Sequence, residues 1–162
     1  MREIHFDQLV VVFLLVILAI IYLALFTKVQ TVFFNKKIVT KNNATTILFI
    51  ASLLSSGIVL FDISKAISEA FNFFVKEKKY LEAVINISLY FVGAWIFSWC
   101  IFRLSFFMVS SFTKEDEIYE LKNNNVELSL IHGFILIILA FIVSPALSDL
   151  ALSFIPYPKM PF

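Results

Sequence analysis

The chain has 162 residues, of which 60% are hydrophobic and only 15% are charged. A water-soluble domain of this length could not keep so much apolar surface away from water, so the composition predicts a membrane protein. The formal net charge of +1 argues against binding to nucleic acid. The one cysteine, Cys100, excludes an intramolecular disulfide and a thiolate metal site, and we expect it to be a small buried residue.

Four stretches of about twenty residues carry no charge, and each is bounded by charged residues. Because a helix rises about 1.5 Å per residue, twenty residues span the roughly 30 Å of a hydrocarbon core. The sequence therefore predicts an all-α, polytopic membrane protein with four transmembrane helices. The uncharged stretches are residues 8–27, 42–61, 83–102 and 128–148.

The first stretch is predicted to be a permanent span that faces lipid. The acidic residues Glu3 and Asp7 precede it, and no small-residue cleavage site follows, so it does not have the pattern of a signal peptide. Its only polar side chain within residues 9–25 is Tyr22. A span with so few polar groups has little to offer a helical partner, which favours contact with lipid.

The basic residues are divided almost equally between the two sides of the membrane. Six lie on the side of the termini and six on the side of loops one and three, and Arg103 adds one to the second group. Cytoplasmic loops carry the excess of Lys and Arg. The count therefore predicts that loops one and three are cytoplasmic and that both termini lie outside the cytoplasm.

Two landmarks recur in the same order with a period of about eighty residues. They are KNNA at 41–44 with KNNN at 122–125, and SKAISE at 64–69 with SPALSD at 144–149. This repetition predicts a tandem duplication of a two-helix hairpin, with residues 1–80 and 81–162 as the two repeats of one integral-membrane domain. Repeats with an even number of spans are related by an axis along the membrane normal. The alternative is that Asn and Ser simply recur at helix ends.

The asparagines of the first landmark are placed to cap helices. Asn43 and Asn124 are predicted to accept hydrogen bonds from backbone N–H groups at the starts of the second and fourth spans. Glu127 lies three residues after Asn124, which predicts a capping box. Both helix starts face the same side of the membrane, so their dipoles would favour an anion there. The alternative is capping without any ligand.

A small set of polar residues lies within the predicted spans. His132 is the one titratable side chain well inside a span, about 7–8 Å below the interface. Ionisable groups at such depth serve as proton relays or ligand contacts, although a neutral histidine that bonds a neighbouring helix is an equal alternative. The predicted polar path between helices is lined by His132, Asn86, Ser52, Ser55, Ser56 and Ser144. For the serines, close helix packing is the alternative.

The connections between spans also carry helical patterns. Apolar residues recur at helical spacing from Ile63 to Phe74, which predicts an amphipathic helix that lies at the interface or extends the second span. Thr113 precedes the acidic residues 115–117, which predicts a helix start with acids in its first turn.

The sequence predicts neither an enzyme nor a cofactor site. Ser129 and His132 share a helix face, but no acid accompanies them at that depth. His5 and His132 have no metal-ligand spacing relative to the acids. The three glycines form no phosphate-binding loop.

The segment DEIYELKNNN at 116–125, followed by the fourth span with SPA at 144–146, resembles the YjfL-type family of small bacterial four-helix inner-membrane proteins. This resemblance implies a domain of unknown function built from two hairpin repeats and located in a bacterial inner membrane. It covers the whole chain in span number and about thirty residues in motif. The chain keeps Gly133, but bulky residues at 135–139 replace the glycine that the family places further along. The resemblance implies no activity.

Two functions are compatible with these observations. The first is a homo-oligomeric channel or transport unit with a polar path between its helices. The second is a non-catalytic membrane anchor or accessory subunit, whose acidic segment at 115–117 contacts a partner protein in the membrane. The first is weakened because the chain has no selectivity-filter signature, and the second because little of it lies outside the spans.

Overall fold

A computed structural model describes residues 6–37, 42–113 and 116–155. Lys41 of the first repeat landmark, the acidic Glu115, and the leader residues Glu3 and His5 lie outside this part of the chain. The described residues form five helices. They are α1 (Phe6–Lys37), α2 (Asn43–Lys76), α3 (Tyr80–Thr113), α4 (Glu117–Lys122) and α5 (Val126–Ser153). Helices α1, α2, α3 and α5 are long and apolar enough to cross a membrane, which confirms the prediction of an all-α protein with four spans.

The spanning helices are longer than the uncharged stretches that predict them. Helices α2 and α3 have 34 residues each, which corresponds to about 51 Å, so both extend well beyond a hydrocarbon core of about 30 Å. The amphipathic segment after the second span is the end of α2 and not a separate interfacial helix. Its apolar side, with Ile63, Ala66, Ala70 and Phe74, is buried in the core of the protein.

Helices α2 and α5 form the central pair and share the most extensive contact in the protein. Asp62 of α2 bonds Ser144 of α5, and nearer the start of both helices Ala51 of α2 lies against Gly133 of α5. The two helices therefore run in the same direction. Each of these facing pairs is separated by 82 residues in the sequence. A Cβ atom added to Gly133 would lie 3.0 Å from the Cβ atom of Ala51. The helices therefore approach closely where the chain has its one buried glycine.

Helices α1 and α3 pack on the central pair in different ways. Helix α3 contacts both α2 and α5, whereas α1 contacts α2 and α3 and scarcely touches α5. Only 11% of the most apolar part of α1 is buried, compared with 50% for α2. The buried side of α1 is a narrow stripe of Tyr22, Phe26 and Gln30, in which the Tyr22 hydroxyl bonds Ser98 of α3. As the sequence predicts, α1 is the most exposed span.

The expectation that Cys100 is buried is wrong. Cys100 is exposed on the surface of α3. The buried side of α3 recurs every three or four residues through Ala94, Ser98, Ile101 and Ser105, and Cys100 falls between these positions. A small side chain is therefore not a reliable sign of burial in a helix whose outer face meets lipid.

The hairpin duplication stays a prediction. The equal separation of the facing pairs on α2 and α5 is what two in-register repeats would produce. The unequal packing of α1 and α3 shows that, if the repeats share an origin, the first helix of each now has a different role.

Candidate functional site

The short helix α4 places one acidic side chain inside the protein. Helix α3 ends at Thr113, so the prediction that a helix starts there is wrong. Asp116 is the N-cap of α4, and its side chain accepts hydrogen bonds from the backbone N–H groups of Ile118 at 3.0 Å and Tyr119 at 3.4 Å. Because the cap is Asp116, the next residue, Glu117, begins the helix and faces inward, where its side chain is 4% exposed.

The start of α2 is tied to the end of α4 by two asparagines. Asn42 is the N-cap of α2 and forms a capping box with Thr45. Its side-chain amide donates to the carbonyl of Leu121 at 2.7 Å. In return, Asn124 Oδ1 accepts from the backbone N–H of Ala44 at 3.0 Å. These reciprocal bonds hold α4, and with it Glu117, against the first turn of α2.

The three predicted capping residues are therefore wrong. Asn43 is the exposed first residue of α2, and the cap is Asn42. Asn124 has a left-handed backbone with φ 62°, which moves the cap of α5 to Asn125. Glu127 is then the second residue of α5, and the capping-box position falls on Leu128, whose N–H bonds the Asn125 side chain at 3.0 Å. One residue in the left-handed conformation is enough to shift the register of the cap.

Three buried polar side chains from three helices meet beside this junction, and we call them the Glu–His–Ser cluster. They are Glu117 of α4, His132 of α5 and Ser105 of α3, and each is at least 96% buried. His132 Nε2 lies 2.8 Å from Ser105 Oγ. On the other side of the imidazole, His132 Nδ1 lies 3.8 Å from Glu117 Oε2. The ring of Phe106 packs edge-on against the imidazole at 4.3 Å between centroids and keeps water from that face.

The hydroxyl proton of Ser105 limits the protonation states of the cluster. Ser105 Oγ also lies 2.8 Å from the carbonyl oxygen of Phe102, which can only accept. When the hydroxyl donates to that carbonyl, His132 must donate from Nε2, and its bare Nδ1 then faces Glu117 as an acceptor. A neutral carboxyl group on Glu117 fits this arrangement, because its O–H can donate toward the bare Nδ1. When the hydroxyl turns to Nε2 instead, Nδ1 carries the proton and suits a carboxylate.

Burial favours the neutral form of Glu117. Among the described residues, neither of its side-chain oxygens has a hydrogen-bond partner. Loss of water around the carboxylate, and then repulsion from the neighbouring Asp116, raise the pKa of Glu117 from 4.5 to about 8, while the backbone of Ser110 opposes the shift without forming a hydrogen bond of normal geometry. Near neutral pH, Glu117 therefore holds a proton that it can exchange.

A surface cavity of about 590 Å³ adjoins the cluster. Glu117 lies in its wall together with Asp116, Arg103 and three aromatic rings. Arg103 is exposed, and its guanidinium carbon lies 5.9 Å from the centroid of the Phe33 ring. A carboxylate that leaves the buried position would thus meet a permanent cation in the adjoining space.

The structure does not bring Asn86 to His132. The Asn86 side chain donates to the carbonyl of Glu82 in its own helix at 2.9 Å. Ser105, which contacts His132, lies further along the same helix by about 28 Å at the rise of an α-helix. Asn86 and His132 are therefore near opposite ends of the protein.

The predicted serines are buried, but they bond locally or to single partners. Ser52 Oγ lies 2.5 Å from Gln30 Oε1 and 2.7 Å from the carbonyl of Phe49. Ser56 donates to Leu53 in the preceding turn at 2.9 Å. Ser55 is buried in the same stripe. This pattern is that of small residues in a helix interface, the alternative that the sequence left open.

Ser144 belongs to a second cluster at the other end of α5. Its hydroxyl donates to the carboxylate of Asp62, and Ser148 donates to the backbone carbonyl of Asp62 at 2.9 Å. Between His132 and Ser144 the buried side of α5 carries Leu136 and Ala140, both fully buried. Among the described residues, the predicted path residues thus form separate polar clusters with apolar layers between them.

The sequence interpretation missed Ser105, Glu117, Asp62 and Gln30 as partners. Ser105 continues the stripe of Ala94 and Ser98 on α3, so its burial could have been anticipated from helical spacing. Gln30 follows Tyr22 and Phe26 at the same spacing of four. Turning the Gln30 amide so that its nitrogen faces Ser52 lets the amide donate while Ser52 donates to Phe49. No such spacing distinguishes Glu117 in the sequence, because it is one of three consecutive acids at 115–117.

The described residues contain no group of three or more His, Cys, Asp or Glu side chains that could hold a metal ion.

Residues 4–147 match the family described as a Domain of Unknown Function (DUF350), and the chain belongs to this family. The match confirms the resemblance to the YjfL-type proteins. No curated protein and no solved structure matches the chain.

Proposed function

We propose that this DUF350 member is a proton-responsive channel or transport unit in a bacterial inner membrane, and that it works as a homo-oligomer. The observation that carries the proposal is the Glu–His–Ser cluster, a buried carboxyl and imidazole without a direct hydrogen bond between them. Ionisable groups at such positions are costly, which favours a role in moving or sensing protons.

The oligomer is part of the proposal because the described residues of one chain form no continuous polar route. The polar clusters of the described residues are separated by the buried apolar side chains of Leu136 and Ala140. A hydrated path would therefore run between chains, along faces that one chain leaves exposed. The Glu–His–Ser cluster would act on this path from the side, by changing how α4 packs.

The proposed response has two states. In the first, protonated Glu117 stays buried and donates toward Nδ1 of His132. In the second, the deprotonated carboxylate is an unpaired charge in a dry site, which is strongly unfavourable. It then moves into the adjoining cavity of about 590 Å³, toward Arg103. Because Asn42 and Asn124 join α4 to α2, this movement pulls on the start of the central helix pair.

Proton flux into reconstituted vesicles tests the proposal. Purified protein should carry flux above that of empty vesicles, with a pH dependence centred near the pKa of Glu117, about 8. Glu117→Gln keeps the size of the side chain and removes the titration, so the pH dependence should disappear. The matched control is Glu127→Gln, which changes an exposed acid at the start of α5 and should leave the profile unchanged.

His132→Leu separates a functional histidine from a packing histidine. If the cluster controls a path, this variant should remain folded and show altered flux or pH dependence. If His132 serves packing alone, the variant should lose stability with no flux to lose. Absence of flux above empty vesicles from folded wild-type protein at every pH would overturn the channel proposal.

The second candidate function is a non-catalytic anchor or accessory subunit, and the separation of the polar clusters favours it. In that case the exposed Asp116 and Tyr119 of the α4 region are the surface that a membrane partner would contact. Folded protein without flux, together with a stable complex that Tyr119→Ala weakens, would support this function over the first.

We propose no catalysis for either function. In space, His132 lies between Ser105 and Glu117, as the histidine does in a hydrolase triad. However, Ser105 is completely buried and donates to Phe102 in its own helix. The distance of 3.8 Å between His132 and Glu117 is longer than a hydrogen bond. A serine-directed covalent probe should therefore leave Ser105 of the folded protein unlabelled.

A further inference from the structure

One side of the central helix pair is left open by the first span. Helix α3 contacts both α2 and α5, whereas α1 contacts α2 and scarcely touches α5. A groove of about 890 Å³ remains between α1, α2 and α5. Its wall is largely apolar, with Leu23, Ile50, Leu54, Phe61 and Phe141. Gly57 also lies in the wall, and no atom comes within 4 Å of the place where its side chain would begin.

The groove ends in a charged pocket. Phe61, Asp62 and Pro145 line the groove and also a second cavity of about 280 Å³. The second cavity adds Ser64, Lys65, Ser148 and Asp149. It therefore combines two carboxylates and one ammonium group directly beyond the apolar wall.

The carboxylate of Asp62 is held in place by α5. Ser144 donates to one of its oxygens, and Ser148 donates to its backbone carbonyl at 2.9 Å. An ionised carboxylate has about four acceptor positions, so one bond from Ser144 leaves capacity for further donors. Ser144 lies about 27 Å along α5 from Val126, which places the pocket near the far edge of a hydrocarbon core of about 30 Å.

We propose that the groove and pocket form a site for a phospholipid with a primary-amine headgroup, of the phosphatidylethanolamine class. The acyl chains lie along the apolar groove. The ammonium group donates to Asp62 and Asp149, and the phosphate lies against Lys65. A primary ammonium has three N–H donors for two carboxylates, whereas a choline headgroup has none. The excess of carboxylates over ammonium in the pocket disfavours a headgroup that is only anionic.

Native mass spectrometry of the intact protein, titrated with lipids of identical acyl chains, tests this site. Phosphatidylethanolamine should bind at least about tenfold more tightly than phosphatidylcholine, because one hydrogen bond between charged groups is worth about that factor. Asp149→Asn removes one of the two carboxylates that accept from the ammonium group, so it should reduce this preference severalfold and leave the part that Asp62 supplies. Asp149 is exposed, so the substitution should not affect folding. The matched control is Glu77→Gln, an exposed acid at the end of α2 away from the pocket.

Two further variants test where the lipid lies and distinguish it from the other possible occupants of the site. Lys65→Gln should weaken both lipids to a similar degree, because both carry the phosphate. Gly57→Leu fills the groove and should weaken both without changing their ratio. Equal affinity of the wild type for the two lipids overturns the proposal, as does a preference that Asp149→Asn leaves undiminished. Tighter binding of phosphatidylglycerol that Lys65→Gln abolishes would assign the site to anionic lipid, and a dimer that Gly57→Leu dissociates would assign the groove to a second copy. These results are independent of proton flux.

Discussion

The two polar clusters on α5 accommodate a carboxyl group in different ways. The Glu–His–Ser cluster and the Asp62–Ser144 pair are about 18 Å apart along the helix. Glu117 is deeply buried, and its side-chain oxygens form no hydrogen bond of normal geometry with the described residues. Asp62 is half-buried, accepts from the Ser144 hydroxyl and lies beside a charged pocket. A buried carboxyl without donors takes up a proton and can respond to pH, whereas one with a donor joins two helices.

The largest expected effect is a pH dependence of stability that arises from Glu117. Its pKa in the folded protein is about 8, compared with 4.5 for the ordinary group. The contribution of this pKa shift to the free energy of unfolding is therefore complete below pH 4.5 and is lost as the pH rises through about 8. Thermal unfolding in detergent should show a falling melting temperature over this window for the wild type and a flatter profile for Glu117→Gln. An equally steep fall in the variant would show that another group is responsible.

The close contact between the two clusters predicts the next effect. Gly133→Ala would place a Cβ atom 3.0 Å from that of Ala51, and neither methyl group can rotate away. Overpacking of this kind costs about 1–3 kcal/mol in the free energy of unfolding. Ala51→Gly should restore part of the loss in the double variant. Gly57→Ala is the control, because open space surrounds that position, and an equal loss there would contradict the role of the α2–α5 contact.

The junction that supports only the first cluster predicts a smaller effect. Asn42→Ala removes the N-cap of α2 and its bond to Leu121, which should cost about 1–2 kcal/mol in the free energy of unfolding. Asn43→Ala changes the exposed neighbour and should stay within about 0.5 kcal/mol. Chemical denaturation of both variants checks the difference. If Asn43→Ala is the more harmful substitution, the cap assignment is wrong.

The smallest effect is expected at the second cluster. Ser144→Ala removes one hydrogen bond to Asp62 and should cost about 0.5–1.5 kcal/mol. Because the clusters are well separated, the double variant with Glu117→Gln should be additive within about 0.5 kcal/mol. The pH profile of Ser144→Ala should match that of the wild type. A changed profile would mean that the two clusters are coupled through α5.

The amino-acid sequence by itself determined the membrane location, the four spans and the family. The location and the spans follow from local properties, since an uncharged run of about twenty residues is long enough to cross a hydrocarbon core as a helix, which bonds its own backbone polar groups. The segment DEIYELKNNN at 116–125, with SPA at 144–146 in the fourth span, was enough to indicate the family that the match over residues 4–147 confirms. Helical spacing could also have revealed Ser105, which continues the buried stripe of Ala94 and Ser98 on α3.

Only the tertiary structure decided which polar groups meet. Asn124 adopts a left-handed backbone that no composition rule demands, and this shifted the cap of α5 by one residue, to Asn125. Glu117 faces inward, whereas the preceding acid, Asp116, is exposed and caps α4. His132 meets Ser105 and not Asn86. Helix α3 runs opposite to α5, so Ser105, toward the end of α3, lies beside His132, whereas Asn86, near the start of α3, lies far from it. Local patterns determine where a helix forms, but the partner of a buried side chain depends on how helices distant in sequence pack together.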